Sequence, residues 1–412
     1  MSDGALVPSA SWRALRSHRD WLAQETGRLL EFARGARVER GFGWLDSDGR
    51  PDAGKPLQLW ITTRMTHVFA LGDLLGQPGC GALADHGLAA IRDTFGDDES
   101  GGWFSEISEA GPVRTEKEAY SHAFVLLAAA SASLAGRATA PALLEEIAGV
   151  VEQRFWSETE GACREAWDRG WNEPERYRGA NANMHMIEAF LAAGDATGDA
   201  RWAQRALRIA ERLIRDDAGE RDWRIAEHFD ADWRALPDYN ADQPRDPFRP
   251  FGVTPGHGLE WSRLLLQIGA ALDEPPQWLT AAAQGLFARA VADGWSAPGG
   301  FVYTTGLDGQ PVVADRLHWP VTEAIGAAAA LHQQTGDQHY EHWYRTCWDF
   351  AATHLIDRRR GSWHAELDES LQPSVQTWSG KPDIYHALQA TLIPRLPVRP
   401  SLAGALRDGS LA

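Results

Sequence analysis

The apolar residues of this chain fall into two kinds of stretch that alternate along it. The first kind is amphipathic. Residues 11–34 (SWRALRSHRDWLAQETGRLLEFAR) place Trp12, Leu15, Trp21, Leu22 and Leu29 at three-to-four spacing, which predicts a helix with one buried face. Similar helices are predicted near residues 81–94, 140–155, 200–216, 277–293 and 338–355. The second kind is apolar on nearly every side and carries a histidine at or near its start. Six such runs occupy residues 64–71 (RMTHVFAL), 120–128 (YSHAFVLLA), 183–192 (NMHMIEAFLA), 257–269 (HGLEWSRLLLQIG), 318–331 (HWPVTEAIGAAAAL) and 385–392 (YHALQATL). Their histidines are His67, His122, His185, His257, His318 and His386, 55 to 72 residues apart. Units that recur on this scale, each too small to bury its own apolar face, signal a repeat architecture.

The connections sharpen the picture. Links from a histidine run to the next amphipathic helix are short, as in GQPG at 76–79 and TGD at 335–337. Links in the other direction are long, and alternate aromatic or apolar with polar residues around Asp-Gly or Glu-Ala-Gly turns, as small hairpins do. Twelve helices arranged this way predict an all-α fold, an (α/α)6 barrel of six inner helices inside six outer ones. The small β-hairpins of the long loops then lie at one end, with every inner-helix start. All six histidines are therefore expected to converge on one cavity mouth. The barrel is placed at 11–393, between an N-terminal tail at 1–10 and a Pro-rich C-terminal tail, an arm or a frayed end, at 394–412.

Composition narrows the function. The chain has 412 residues, with 40 Lys plus Arg against 57 Asp plus Glu, a formal net charge of −17. That balance argues against nucleic acid and anionic membranes as partners. Three widely separated cysteines form no metal-binding spacing and fit a reduced, cytoplasmic protein. The first residues, MSDGALVPSASW, lack a signal-peptide pattern, and no apolar run approaches the ~20 residues of a membrane span. A monomer or homodimer acting on a small molecule is expected.

A ring of histidines suggests a metal, but no HExxH-like spacing is present, and Arg64, one turn before His67, disfavours a bound cation. No metal and no cofactor is expected. Glycosidase chemistry needs two carboxylates flanking one bond. Candidates are Glu260, Glu323, Asp230 and Asp383, but Glu260 and Glu323 lie inside histidine-led helix starts (HGLE, HWPVTE) and read better as partners that orient a base. Histidine itself is suited to reversible proton transfer near neutral pH. Shifting a proton between the first two carbons of an open-chain sugar needs a base, donors for the enediolate oxygens, and an acid/base that opens the ring. Two His, an Arg, a Tyr and an Asn at one mouth supply these.

The stretches TTRMTH (62–67), AYSHAF (119–124), NANMHMIEA (181–189), TPGHGLEWSRLLLQ (254–267), HWPVTEA (318–324) and GKPDIYHALQA (380–390) resemble the N-acylglucosamine 2-epimerase superfamily. They are most similar to its aldose–ketose isomerase branch, the mannose and sulfoquinovose isomerases. The resemblance spans about Trp12 to Leu392. It implies a metal-free (α/α)6 barrel working through a cis-enediol, with mannose–fructose interconversion as the expected reaction and sulfoquinovose isomerisation or sugar 2-epimerisation as alternatives. It implies that His386 is the base carrying the proton between C2 and C1, and that His257 assists ring opening as a second acid/base. Both are expected to titrate near neutrality. Arg64, Tyr120, Asn181, His185, Trp319, Glu260 and Glu323 match positions that hold the sugar or orient the histidines, and Trp60 is a candidate for stacking on it. For His67, His122 and His318 a packed, hydrogen-bonded histidine is the stronger expectation. Two readings from other classes stand beside this one: a glycosidase on the same ring, and a non-catalytic sugar-binding protein, for which no nucleotide-binding GxxxxGK[ST] is present.

Overall fold

The computed structural model describes residues 11–411; the tail expected at 1–10 lies outside them. Six helices bury one face only. These are α1 (Arg16–Ala33), α3 (Cys80–Asp93), α5 (Ala140–Val150), α7 (Arg201–Ala210), α9 (Trp278–Gly294) and α11 (Gln338–Phe350). In α1 the buried set is Leu22, Glu25, Thr26, Leu29, Leu30 and Ala33, the stripe that a helix lying on a core requires. Alternating with them in sequence are α2 (Leu59–Leu74), α4 (Ala119–Leu134), α6 (Ala180–Thr197), α8 (Pro255–Ala270), α10 (His318–Thr335) and α12 (Tyr385–Leu392). In α2 every residue from Leu59 to Gly72 is buried. A helix buried all round must be surrounded by other helices, so the two patterns separate an inner from an outer ring. The inner ring closes: α2 packs on α4, α4 on α6, α6 on α8, α8 on α10, α10 on α12, and α12 returns to α2. The outer helices 140–155, 200–216 and 338–355 do not run as uninterrupted α-helices. Their last turns, Val151–Phe155, Glu211–Asp217 and Ala351–Leu355, widen to π-helix.

Short strands belt the mouth. Only some are the hairpins expected inside single loops, such as Glu106–Ser108 with Gly111–Arg114. Others join neighbouring repeats. The strand before α2 (Leu57–Gln58) pairs with Glu106–Ser108 of the next loop, Lys117–Glu118 with Ala166–Trp167, Arg178–Gly179 with His228–Phe229, and Arg316–Leu317 with Glu366–Leu367. The first N–H of each helix that follows these strands donates to the partner loop: Leu59 to Ser105, Ala119 to Glu165, Ala180 to Glu227 and His318 to Ala365. These bonds satisfy donors that a helix start leaves orphaned and fix the depth at which each inner helix begins.

The C-terminal segment is not a frayed tail. Residues Leu402–Arg407 form a helix, α13, whose Leu402, Ala403, Gly404, Ala405 and Leu406 are buried. It packs against α2, α4 and α6 and is anchored by Ser401 Oγ on Asp195. Prolines that cannot continue α12 turn the chain back, and the apolar LAGAL run packs on the inner helices, near the C-terminal end of α6.

Candidate active site

One cavity at the inner-helix starts is lined by Trp60 and Arg64 (α2), Tyr120 (α4), Asn181 and His185 (α6), His257 and Glu260 (α8), His318 and Trp319 (α10), and Asp383 and His386 at the start of α12. Phe248, Tyr303 and Trp378 complete it from the loops. Four of the six histidines meet there. His67 and His122 do not. His67 is the ninth residue of α2, a turn below Arg64, and its Nδ1 bonds Ser131 Oγ at 2.7 Å. His122 turns outward on α4, with Nδ1 on the Glu118 carbonyl at 2.7 Å and its ring against Phe155. Burial pushes them down to about 4 and about 3 respectively, as for packed histidines. Asp230 also lies away from the cavity, capping its own loop through the N–H groups of Asp232 and Arg234.

The two histidines expected to do chemistry share one arrangement. His386 Nδ1 lies 2.8 Å from Glu323 Oε1. His257 Nδ1 lies 2.9 Å from both oxygens of Glu227. Carboxylates only accept, so each Nδ1 carries a proton and each Nε2 is left for the cavity. Trp319 sits between the two imidazoles, its ring centroid 5.2 Å from His257 and 5.8 Å from His386. The PGH turn makes room for it: a Cβ on Gly256 would meet the Trp319 ring at 2.3 Å.

Glu260, three residues after His257, does not orient it. Its Oε1 lies 3.8 Å from His185 Nδ1 and 3.6 Å from Arg263 Nη2. Arg263, buried behind the cavity, also bonds Glu323 Oε2 through Nη2 at 3.1 Å. Burial and then Glu323 raise Glu260 well above the usual carboxylate range. Burial also raises Glu323, with Arg263 opposing. Burial, and then the positive charge of Arg64, push His386 and His185 well below the usual imidazole range. His386 is thus held neutral, and below rather than near the neutral range expected for it.

Arg64 is fixed from several sides. Nη1 reaches Asp383 at 3.2 Å and Nη2 donates to the Tyr120 hydroxyl at 2.9 Å. Its guanidinium also lies over the rings of Phe124 and Tyr385. Burial works against its charge, but Tyr120 and Asp383 outweigh this and keep it protonated. Burial pushes the Tyr120 hydroxyl up to about 12. Asp383 both holds Arg64 and accepts from the Tyr385 N–H at 2.8 Å. Lys381 of the same KPD stretch is buried on Asp357.

Two sets of side chains, His185/Glu188/Glu260 and Glu260/Glu323/His386, bring possible metal-ligand atoms within 4.8 Å of one another. Arg263 already balances Glu260 and Glu323, and the Nδ1 proton of His386 occupies one Glu323 oxygen. Buried polar atoms ordinarily have partners. Trp60 Nε1, Asn181 Oδ1, His185 Nδ1 and Glu260 Oε1 have none among the described residues, and all four residues line the cavity.

Sequence reasoning missed Glu227, which lies 30 residues before His257 in an irregular loop and gives no spacing signal. It also missed Arg263, although Arg263 follows Glu260 by three residues on one helix, the spacing of a same-face pair.

The family model for N-acylglucosamine 2-epimerase (GlcNAc 2-epimerase) matches residues 41–390. A D-mannose isomerase of Thermobifida fusca is 57% identical over 400 residues, covering 96% of this chain and 98% of the relative. A D-mannose isomerase of Pseudomonas cannabina pv. alisalensis is 51% identical over 403 residues, covering 96% and 97%. The solved structure of a D-mannose isomerase superposes with a TM-score of 0.86 at 29% identity, covering 91% of this chain and 97% of that one. The chain belongs to the N-acylglucosamine 2-epimerase family.

Proposed function

We propose that this enzyme interconverts D-mannose and D-fructose through a cis-enediol, without a metal ion. The observation that carries the reading is the pair of imidazoles, His257 and His386. Each is held at Nδ1 by a buried carboxylate and presents Nε2 to one cavity. The names and high identity of the two relatives support mannose as the substrate.

His257 assists opening of the hexose ring. Neutral His386 then removes the C2 proton, and its Glu323 partner stabilises the imidazolium that forms. The same imidazolium returns the proton to C1 on the same face while the proton of the C2 hydroxyl passes to O1, which yields the ketose. Arg64 stabilises negative charge growing on the enediolate oxygens. Tyr120, Asn181, His185, Glu260, Trp60 and Trp319 hold the sugar.

The test is incubation with mannose, glucose, cellobiose, N-acetylmannosamine and sulfoquinovose, with the products identified by NMR. Fructose from mannose is expected. Glucose from mannose without fructose would make the enzyme an epimerase, and reducing sugar released from a glycoside would make it a glycosidase. Exhaustive chelation should leave the activity unchanged, and loss restored by one divalent ion would overturn the metal-free reading.

A further inference from the structure

The rim of the active-site cavity divides into two halves. His257, Trp319 and His386 stand on the consecutive helices α8, α10 and α12. Trp60, Tyr120 and Asn181 stand on α2, α4 and α6 across from them. A sugar whose C1 and C2 lie against the two histidines can direct its far end, C4 to C6, toward the second half.

On that side a second cleft of about 750 Å³, open to solvent, adjoins the cavity. Typical small-molecule pockets occupy roughly 300–1,000 Å³, so the cleft is of a size that holds a sugar ring. The two share Trp60, Tyr120, Asn181 and Phe248. Phe248 comes from a loop and forms the partition. Its ring meets Trp60, Tyr120 and Trp378 edge-on, with centroids 6.0, 5.4 and 5.6 Å away. Its backbone is pinned: the carbonyl accepts from Asn181 Nδ2 at 3.1 Å and the N–H donates to Asp246 Oδ1 at 2.9 Å. The next residue, Arg249, is clamped by both oxygens of Glu175, at 2.8 and 2.9 Å. Phe248 is thus a fixed wall.

Resting on the aldose–ketose isomerase reading, we propose that Phe248 is the residue that confines the enzyme to unsubstituted monosaccharides, and that the cleft behind it admits a neutral sugar substituent once the ring is removed. The character of the cleft selects the substituent. Glu106, Glu116, Asp168, Glu173 and Asp246 line it with no salt-bridge partner among the described residues, while Arg114 and Arg249 are paired with Glu118 and Glu175. A phosphate would be repelled by that lining. A neutral sugar ring would not, and the unpartnered Ser105 Oγ and Trp60 Nε1, on residues more than nine-tenths buried, belong to the same wall.

The test compares kcat/KM for mannose, β-1,4-mannobiose and mannose 6-phosphate in the wild type, Phe248→Ala and Phe248→Leu. The wild type should act on mannose and hardly on mannobiose. Phe248→Ala should raise the mannobiose-to-mannose ratio at least tenfold without raising that for mannose 6-phosphate. Phe248→Leu, which keeps an apolar side chain on the loop, should raise it by a smaller factor and carries the test if the alanine variant does not fold. An unchanged ratio in folded variants overturns the proposal, as does wild-type turnover of mannobiose equal to that of mannose. An equal rise for mannose 6-phosphate overturns the charge selection. Failure of the underlying reading shows differently: the wild type then fails on mannose itself, and the inference falls with it.

Discussion

The carboxylate of Glu227 straddles the Nδ1 of His257, with both oxygens at 2.9 Å. One of them also accepts the Thr254 N–H at 3.3 Å, just before α8 begins. Glu227 therefore couples the tautomer of His257 to the position of the helix that carries it. Glu227→Gln keeps the shape and removes the charge. It should lower kcat by one to two orders of magnitude with little change in KM, a smaller loss than the about 10²–10⁴-fold expected on removing an acid/base itself. An unchanged kcat would mean that Glu227 only supports the fold.

Arg64→Lys keeps a positive charge but loses the planar fork that reaches Asp383 and Tyr120 together. If the guanidinium stabilises charge that develops during enolisation, kcat should fall more than KM rises. A rise in KM at constant kcat would reduce Arg64 to a binding residue.

The pH dependence follows from the neutral His386. Its folded value lies well below the ordinary 6.5, chiefly through burial. The base form thus persists as the pH falls through 6.5, and activity is lost only on passing below the depressed value. The acid limb of kcat/KM should fall below pH 6.5. A limb above 6.5 would show that Glu323 stabilises the imidazolium more than burial and Arg64 disfavour it.

Lys381 donates to Asp357 at 2.8 Å and to the Gly361 carbonyl, and both side chains of the ion pair are buried. Burial raises Asp357, but Lys381 and the N–H groups of Arg360 and Arg359 outweigh it and bring it down to about 2. A carboxylate depressed in this way stabilises the fold above the usual value of 3.8, and that contribution is lost as the pH falls toward 2. Lys381→Met should cost about 3 kcal/mol, because it strands a buried charge. Denaturant unfolding at pH 7 measures this, and a change under about 0.5 kcal/mol would remove the pair from the framework.

Much of this was legible in the sequence because the inner and outer helices differ in how many sides they bury. An inner helix such as α2 reads as a continuous apolar run and an outer one such as α1 as a stripe. The polar cavity residues stand out where they interrupt the inner runs at their starts. The histidine rule failed where a neighbour took the inward position: Arg64 at the mouth instead of His67, and Tyr120 instead of His122. Spacing could not reveal the partners that come from loops, Glu227 and Phe248 above all, since their positions depend on how separate repeats pack. Nor could composition show that a Pro-rich end would turn back as α13 and bury an apolar face.

The most direct test of the account is the fate of the C2 hydrogen. A single base on one face of the enediol should carry some deuterium from C2-labelled mannose to C1 of fructose, diluted by exchange with water. NMR of the product measures the transfer, and its early time course in D₂O measures C2 exchange. His386→Asn should abolish both isomerisation and exchange. His257→Asn should retain exchange on substrate that is already open-chain. Near wild-type C2 exchange in His386→Asn, or loss of exchange in His257→Asn alone, would contradict the assignment of His386 as the base.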